Sequence, residues 1–185
     1  MKEKSKINKI AMQSRKWIIE AMLKLLAEKP YEKITITEIA YTAQLGRRTF
    51  YRNFDSKEDV LDMYIKGLID EYINLLKNEY LTIHNGAKVY FTFWSKHLDF
   101  LILMEKNNLL HLLLQRFNQY LPMIHKEVNE NKIEKFNDRM LEYVLFFSAG
   151  GFWNILVKWL QDGAKETPDD MAMLIDSILS DKLIK

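Results

Sequence analysis

Residues 35–57 restrict the fold more than any other stretch: two short helical patterns flank a turn of small residues, and a third helix start follows directly. Thr35 and Glu38 form a Thr-x-x-Glu capping box, so a helix begins there. It runs to about Ala43, with Ile36, Ile39, Ala40 and Ala43 facing inward. The next runs from about Arg47 to Phe54, with Phe50 and Phe54 at i, i+4 as its buried side. Ser56, followed three residues on by Asp59, opens a long helix over about 57–79. Its apolar stripe includes Val60, Leu61, Tyr64, Ile65, Leu68, Ile69, Tyr72, Ile73 and Leu76. A helix as short as the one from Arg47 does not hold by propensity alone. Its two phenylalanines must anchor it on the helices around it.

Helical periodicity dominates elsewhere. Ile18, Ala21, Met22, Leu25 and Leu26 make one stripe of a first helix that Pro30 stops. Asn85-Gly86 reads as the first clear break after the long helix. Beyond it the pattern predicts helices over about 86–106, 108–120, 123–133, 136–162 and 168–182, with Pro122 dividing the second from the third. Gly163 sits where a C-terminal cap belongs, and Thr167-Pro168-Asp169-Asp170 is a start signal. No convincing strand, fixed-period repeat or low-complexity tract is present. The expected fold class is all-α. A three-helix head over 1–57 is joined by the long fourth helix to an all-helical body over 58–185.

Charge separates the same two parts. Residues 1–57 hold 13 Lys+Arg against 6 Asp+Glu, a net of +7; residues 58–185 hold 14 against 19, a net of −5. A basic head on an acidic body assigns any polyanion to the head. With 48% hydrophobic and 28% charged residues the chain is globular rather than disordered. It has no cysteine, which excludes disulfides and thiolate metal sites and fits a cytoplasmic location. No signal peptide is visible at the N-terminus, and no apolar run reaches ~18 residues without a charge, so no membrane span is expected. His84, His97, His111 and His125 fall in no i, i+4 ligand pair. Glu127, Glu130, Glu134 and Asp138 read as a solvated acidic face. No metal, cofactor or catalytic constellation is called for.

With Phe50 and Phe54 turned inward, Arg47, Arg48, Thr49, Tyr51, Arg52 and Asn53 are left facing outward or sideways. Planar guanidinium forks suit phosphate oxygens and guanine edges, and two short helices about a tight turn are a way of presenting such groups to a DNA major groove.

The stretch resembles the DNA-binding domain of TetR-family transcriptional repressors. The resemblance rests on Thr35-x-x-Glu38-Ile39-Ala40, Ala43 and Leu45 in the turn, Thr49-Phe50-Tyr51-x-x-Phe54, and Ser56-Lys57-Glu58-Asp59-Val60-Leu61. It covers about residues 10–65. It implies that Arg47, Arg48 and Thr49 reach base edges, that Tyr51 and Lys57 meet phosphates, and that Thr35, Arg52 and Asn53 add backbone contacts. Two positions depart from the family pattern: Gln44 stands where glycine is usual, and Gly46 where serine or threonine is usual. A positive φ at Gln44 costs about 1 kcal/mol.

The resemblance further implies a homodimer on a palindromic double-stranded DNA operator, and a small-molecule effector bound in the body. Residues 140–160 are apolar almost all round, and Ser148-Ala149-Gly150-Gly151 would let another backbone approach closely. Phe146, Ala149, Gly150, Trp153 and Val157, with Leu174 and Ile178 of the last helix, are the expected dimer interface. An aromatic-rich stretch supplies the expected pocket: Phe93, Trp94, His97, Phe100, Met104, Leu113, Phe117 and Tyr120. A fainter likeness, through Gly150-Gly151, Lys158-Trp159-Leu160, Gly163 and Pro168, is to a subgroup that includes dihydroxyacetone-kinase regulators. The competing reading is a helical protein-interaction regulator whose DNA binding depends on a protein partner.

Overall fold

A computed structural model describes residues 2–77, 82–129 and 138–179. The described residues form α-helices, one 3-10 turn and their connections, with no strand. The chain divides into two compact units, residues 1–67 and 68–185.

The first unit holds α1 (Lys2–Glu28), a 3-10 turn (Tyr31–Lys33), α2 (Ile36–Thr42), α3 (Arg47–Tyr51) and the start of α4 (Lys57–Lys77). The expected stripe of α1 is buried, and Ile39, Phe50, Phe54, Val60 and Ile65 close the core around it. The division lies ten residues beyond the expected 57/58 boundary because the first turns of α4 serve the head. Val60, Leu61 and Ile65 are buried, and the Tyr31 hydroxyl donates to Glu58 Oε1 at 2.8 Å.

Capping sets the helix ends. Both halves of the Thr35–Glu38 box are made, and Ser56 and Asp59 repeat it at α4: Asp59 N donates to Ser56 Oγ at 3.1 Å, and Ser56 N to Asp59 Oδ2 at 2.9 Å. At the end of α2, Gln44 N donates to Tyr41 O and Leu45 N to Ala40 O, both at 2.9 Å. That paired closure is a Schellman motif, and its left-handed position is Gln44, at φ 56°.

The second unit holds the rest of α4, then α5 (Ile83–Lys96), α6 (Leu98–Lys106), α7 (Leu110–Asn129), α8 (Asp138–Gln161) and α9 (Pro168–Leu179). α5 packs along α9, and α7 along α8. Phe91, Phe93, Trp94, Leu101, Met104 and Leu113 fill the core. Gly163, at φ 90°, closes α8 with the same motif as α2: its N–H reaches Leu160 O at 3.0 Å and that of Ala164 reaches Trp159 O at 2.8 Å. Thr167 and Asp170 cap α9 as expected.

Besides the end of α3, which falls at Tyr51 rather than Phe54, three element boundaries differ from the expectation. Asn85 and Gly86 lie inside the first turn of α5, because Thr82 caps it, accepting from Asn85 N at 3.0 Å. The predicted helix over 86–106 is broken at His97, whose backbone leaves helical geometry at φ −107°, ψ 24°. Glu71 holds that corner, with Oε1 2.6 Å from Lys96 Nζ and Oε2 3.2 Å from His97 Nε2. Pro122 does not divide two helices but sits within α7. An interior proline forfeits one helical hydrogen bond, about 3 kcal/mol; its ring is exposed, while Phe117 and Ile124 on either side of it are buried and hold the helix together. The far ends predicted for helices over 123–133, 136–162 and 168–182 fall partly outside the described residues, as does the acidic series from Glu127 to Asp138.

Candidate nucleic-acid interface

α3 is five residues long and is held by its two phenylalanines: Phe50 is fully buried, and its ring stands 6.0 Å from that of Phe54 and 5.7 Å from that of Tyr51. Turning that side inward leaves Arg47, Arg48, Tyr51 and Arg52 exposed, with Thr49 and Asn53 half-buried at the flanks. None of the three guanidinium groups has an ion-pair or hydrogen-bond partner among the described residues. Three unneutralised cations on two helical turns repel one another, an arrangement that a polyanion relieves.

Three of the other predicted contacts, Asn53, Thr35 and Lys57, are already engaged within the head. Asn53 Nδ2 donates to Thr49 O at 2.8 Å and closes the end of α3. The Thr35 hydroxyl donates to Glu38 Oε2 at 2.8 Å, and Lys29 Nζ pairs with Glu38 Oε1. Those bonds, that from Lys29 first, hold the Glu38 carboxyl down to about 2. Lys57 is committed further still. Its ammonium lies 2.7 Å from Tyr31 O, 3.1 Å from Ile34 O and 3.5 Å from Glu32 O, and 4.2 Å from the centre of the Tyr31 ring. An ammonium has three protons, and here three carbonyls of the 3-10 turn and its C-cap are within reach of them. Burial, with Glu58 beside it, pushes the Tyr31 hydroxyl well up.

Sequence reasoning passed over Tyr41 on α2, which is exposed over 84% of its surface. The available signal is its place off the Ile39–Ala40 stripe, an aromatic on the solvent side of a helix.

The second unit contains an apolar cavity of 660 Å³ reached by α4, α5, α7, α8 and α9. Of the expected pocket residues, Trp94 and Phe117 line it. Phe93, Phe100, Met104 and Leu113 do not: they are buried in the packing between helices. His97 is drawn to Glu71, and Tyr120 lies half-exposed on α7 away from the cavity. Helical spacing marks a buried face but not whether that face meets a neighbour or a void. Tyr72 and Tyr90 line the cavity instead.

The expected dimer residues divide in the same way. Trp153 is buried and lines the cavity with Ala149. Phe146 and Leu174 are exposed, and Gly150, Val157 and Ile178 are half-buried.

Two family models match. Bacterial regulatory proteins of the tetR family match residues 18–63, and the transcriptional regulator C-terminal region matches residues 81–181, more than half of the chain. The HTH-type transcriptional regulator HbdR of Aromatoleum sp. (strain CIB) is 34% identical over 64 residues, 35% of this chain; the match spans only 28% of HbdR. Three solved structures share the fold at low identity. The dihydroxyacetone kinase operon activator DhaS aligns with TM-score 0.58 and 17% identity, over 90% of this chain and 94% of that one. The fatty acid degradation regulator FadR from Bacillus halodurans gives 0.59 and 18%, over 92% and 96%. A transcriptional regulator FadR from Bacillus subtilis, solved with stearoyl-CoA, gives 0.55 and 20%, over 90% and 98%. A basic helix-turn-helix head, matched as such, and an all-helical body matched to a regulator's C-terminal region lead to one conclusion: the chain belongs to the tetR family of bacterial regulatory proteins and is a DNA-binding transcriptional regulator, not an enzyme.

Proposed function

We propose that the chain acts in the cytoplasm as a homodimeric repressor that sits on a twofold-symmetric operator and is released by a small molecule bound in its body. The observation that carries the first half is the α3 surface, where Arg47, Arg48 and Arg52 stand exposed with no partner among the described residues. In this reading Arg47, Arg48 and Thr49 meet base edges, while Tyr51, Arg52, Asn53 and Thr35 meet the DNA backbone. Lys57 contributes chiefly by holding the 3-10 turn behind α2, since its protons face carbonyls.

An exposed apolar face supports the dimer. On α8, Tyr143 is 67% and Phe147 80% exposed, with Met140, Val144 and Phe146 beside them; Met173, Leu174 and Leu179 of α9 are exposed too. A patch of this kind marks an interaction surface. Met140–Gln161 is also long and apolar enough to cross a membrane by length and composition. We assign the face to a second copy, because a span would pull Leu156, Trp159 and Leu160 out of the core where they are buried.

Release follows as a population shift. The effector favours a spacing of the two heads that no longer matches major grooves one helical turn apart, ~34–36 Å. A genomic footprint with the full chain tests the whole reading. We expect a protected palindrome upstream of a gene whose transcription rises when the protein is deleted. Transcription that falls on deletion overturns the repressor assignment, and an asymmetric single half-site overturns the dimer.

A further inference from the structure

The cavity wall is mostly apolar and its polar side chains are all neutral: Tyr72, Tyr90 and Trp94 stand together on α4 and α5, and Thr82, Asn118 and Ser148 lie elsewhere on the lining. The Trp94 side chain is fully buried, and its indole N–H has no well-aligned hydrogen-bond partner among the described residues. Its nearest polar neighbour is the Tyr90 hydroxyl, close enough to offset part of the rise that burial causes there but not aligned as a full hydrogen bond. Tyr72 stands with its ring 6.0 Å from that of Tyr90; burial pushes both hydroxyls well up, and the neighbouring Tyr72 pushes that of Tyr90 further. Both phenols therefore stay protonated and available as donors. Among the described residues the Tyr72 hydroxyl has no hydrogen-bond partner, and that of Tyr90 has Trp94 Nε1 as its one polar neighbour. A buried donor without an acceptor is costly, and the usual remedy is a ligand or an ordered water.

Charge is absent from this wall. Among the described residues that line the cavity there is no Lys, Arg, His, Asp or Glu. Aliphatic and aromatic side chains, Leu76, Leu121, Ile124, Leu145 and Phe152 among them, supply most of the rest. A carboxylate or phosphate placed inside would lose its hydration without gaining a cation. A neutral oxygen would meet up to three donors. The volume, 660 Å³, lies in the range of small-molecule sites.

We propose that the effector is a neutral, largely apolar molecule whose carbonyl or hydroxyl oxygen accepts from Tyr72, Tyr90 and Trp94. This rests on the reading of the body as an effector domain and narrows it. It also separates this chain from the stearoyl-CoA seen with the Bacillus subtilis neighbour, whose head is anionic.

The test uses the full-length protein and four probes on one ten-carbon skeleton: a methyl ketone, a primary alcohol, the carboxylate and the bare alkane. Binding is read by the fluorescence of Trp94 and Trp153, both on the cavity wall. The ketone and alcohol should bind at least tenfold more tightly than the carboxylate at neutral pH. Tyr90→Phe and Tyr72→Phe should each weaken the ketone roughly tenfold and leave the alkane unchanged, a contrast that a merely structural role would not give. A carboxylate that binds as tightly as the ketone, or phenylalanine variants that treat ketone and alkane alike, overturns the proposal. Operator release is measured separately. Ketone binding without release keeps the ligand class and overturns effector control; release by the carboxylate or by stearoyl-CoA, with no ketone binding, does the reverse.

Discussion

Gly150 and Gly151 lie in the middle of α8, where glycine is about 0.8–1.0 kcal/mol worse than alanine. Nothing among the described residues requires them: a Cβ built at either position meets no atom within 4 Å. For the isolated chain, replacing both with alanine should therefore stabilise α8 by about 2 kcal/mol. The proposed dimer predicts a cost elsewhere. If a partner backbone lies against Ser148-Ala149-Gly150-Gly151, each new methyl enters a packed contact, and twofold symmetry presents it twice. Overpacking costs about 1–3 kcal/mol per site, so the dimer Kd should rise by one to several orders of magnitude, at about 1.4 kcal/mol per tenfold. Sedimentation equilibrium gives the Kd, and hydrogen exchange of the α8 amides at high dilution gives the local stability. The expected result is opposite signs: slower exchange in the separated protomer and weaker association. An unchanged or tighter dimer would refute the placing of these glycines at an interface.

Three further outcomes follow from the head. Lys57→Ala should destabilise it by about 1.5–3 kcal/mol, since bonds from a charged donor to three carbonyls are lost; faster amide exchange in α2 and α3 would show this, whereas lost DNA affinity with unchanged exchange would return Lys57 to a phosphate role. Gln44→Gly should be neutral or stabilising by up to about 1 kcal/mol, while Gln44→Val should destabilise, because φ is 56° there; equal thermal midpoints for the two variants would contradict it. Glu38 titrates at about 2 in the folded head against its ordinary 4.5, so the stability it gives is complete above ~4.5 and is lost as pH falls toward about 2, where the unfolded chain has already taken up the proton. Glu38→Gln should flatten the acid limb of a circular-dichroism titration in that window, and an unaltered limb would count against the Lys29–Glu38–Thr35 cluster.

The legible part of the fold was written in local chemistry. Thr35, Ser56 and Thr167 each precede an acidic partner by three residues, and all three boxes form. Gly163 announces its positive φ because glycine tolerates it. Gln44 adopts the same motif without that signal, and only its place in a family turn hinted at it. His97 and Pro122 were misread for tertiary reasons. Glu71, paired with Lys96 and 3.2 Å from His97 Nε2, sits at the corner of one, and buried neighbours carry a helix through the other. The cavity was the least legible. Met104 and Leu113 obey the same periodicity as Trp94 and Phe117, yet only the latter pair meets empty space. Periodicity reports burial and says nothing of what fills the far side. Charge at the head was plain from composition, but that Lys57 spends its protons on Tyr31, Glu32 and Ile34 depends on a turn with no sequence signature.

The central claim is that the exposed arginine face of α3 reads DNA. Operator affinity of the full chain as a function of salt tests it most directly. Neutralising Z phosphates gives a slope of about −0.9Z in log K against log salt. We predict a steep slope for the native chain and a division between two variants. Arg52→Ala should reduce the slope by about one and weaken all sequences alike. Arg47→Ala should keep the slope nearly unchanged, lose about 1–3 kcal/mol on the operator and relax the choice of base. Binding that is independent of salt, or variants that leave both slope and sequence preference untouched, would contradict the account.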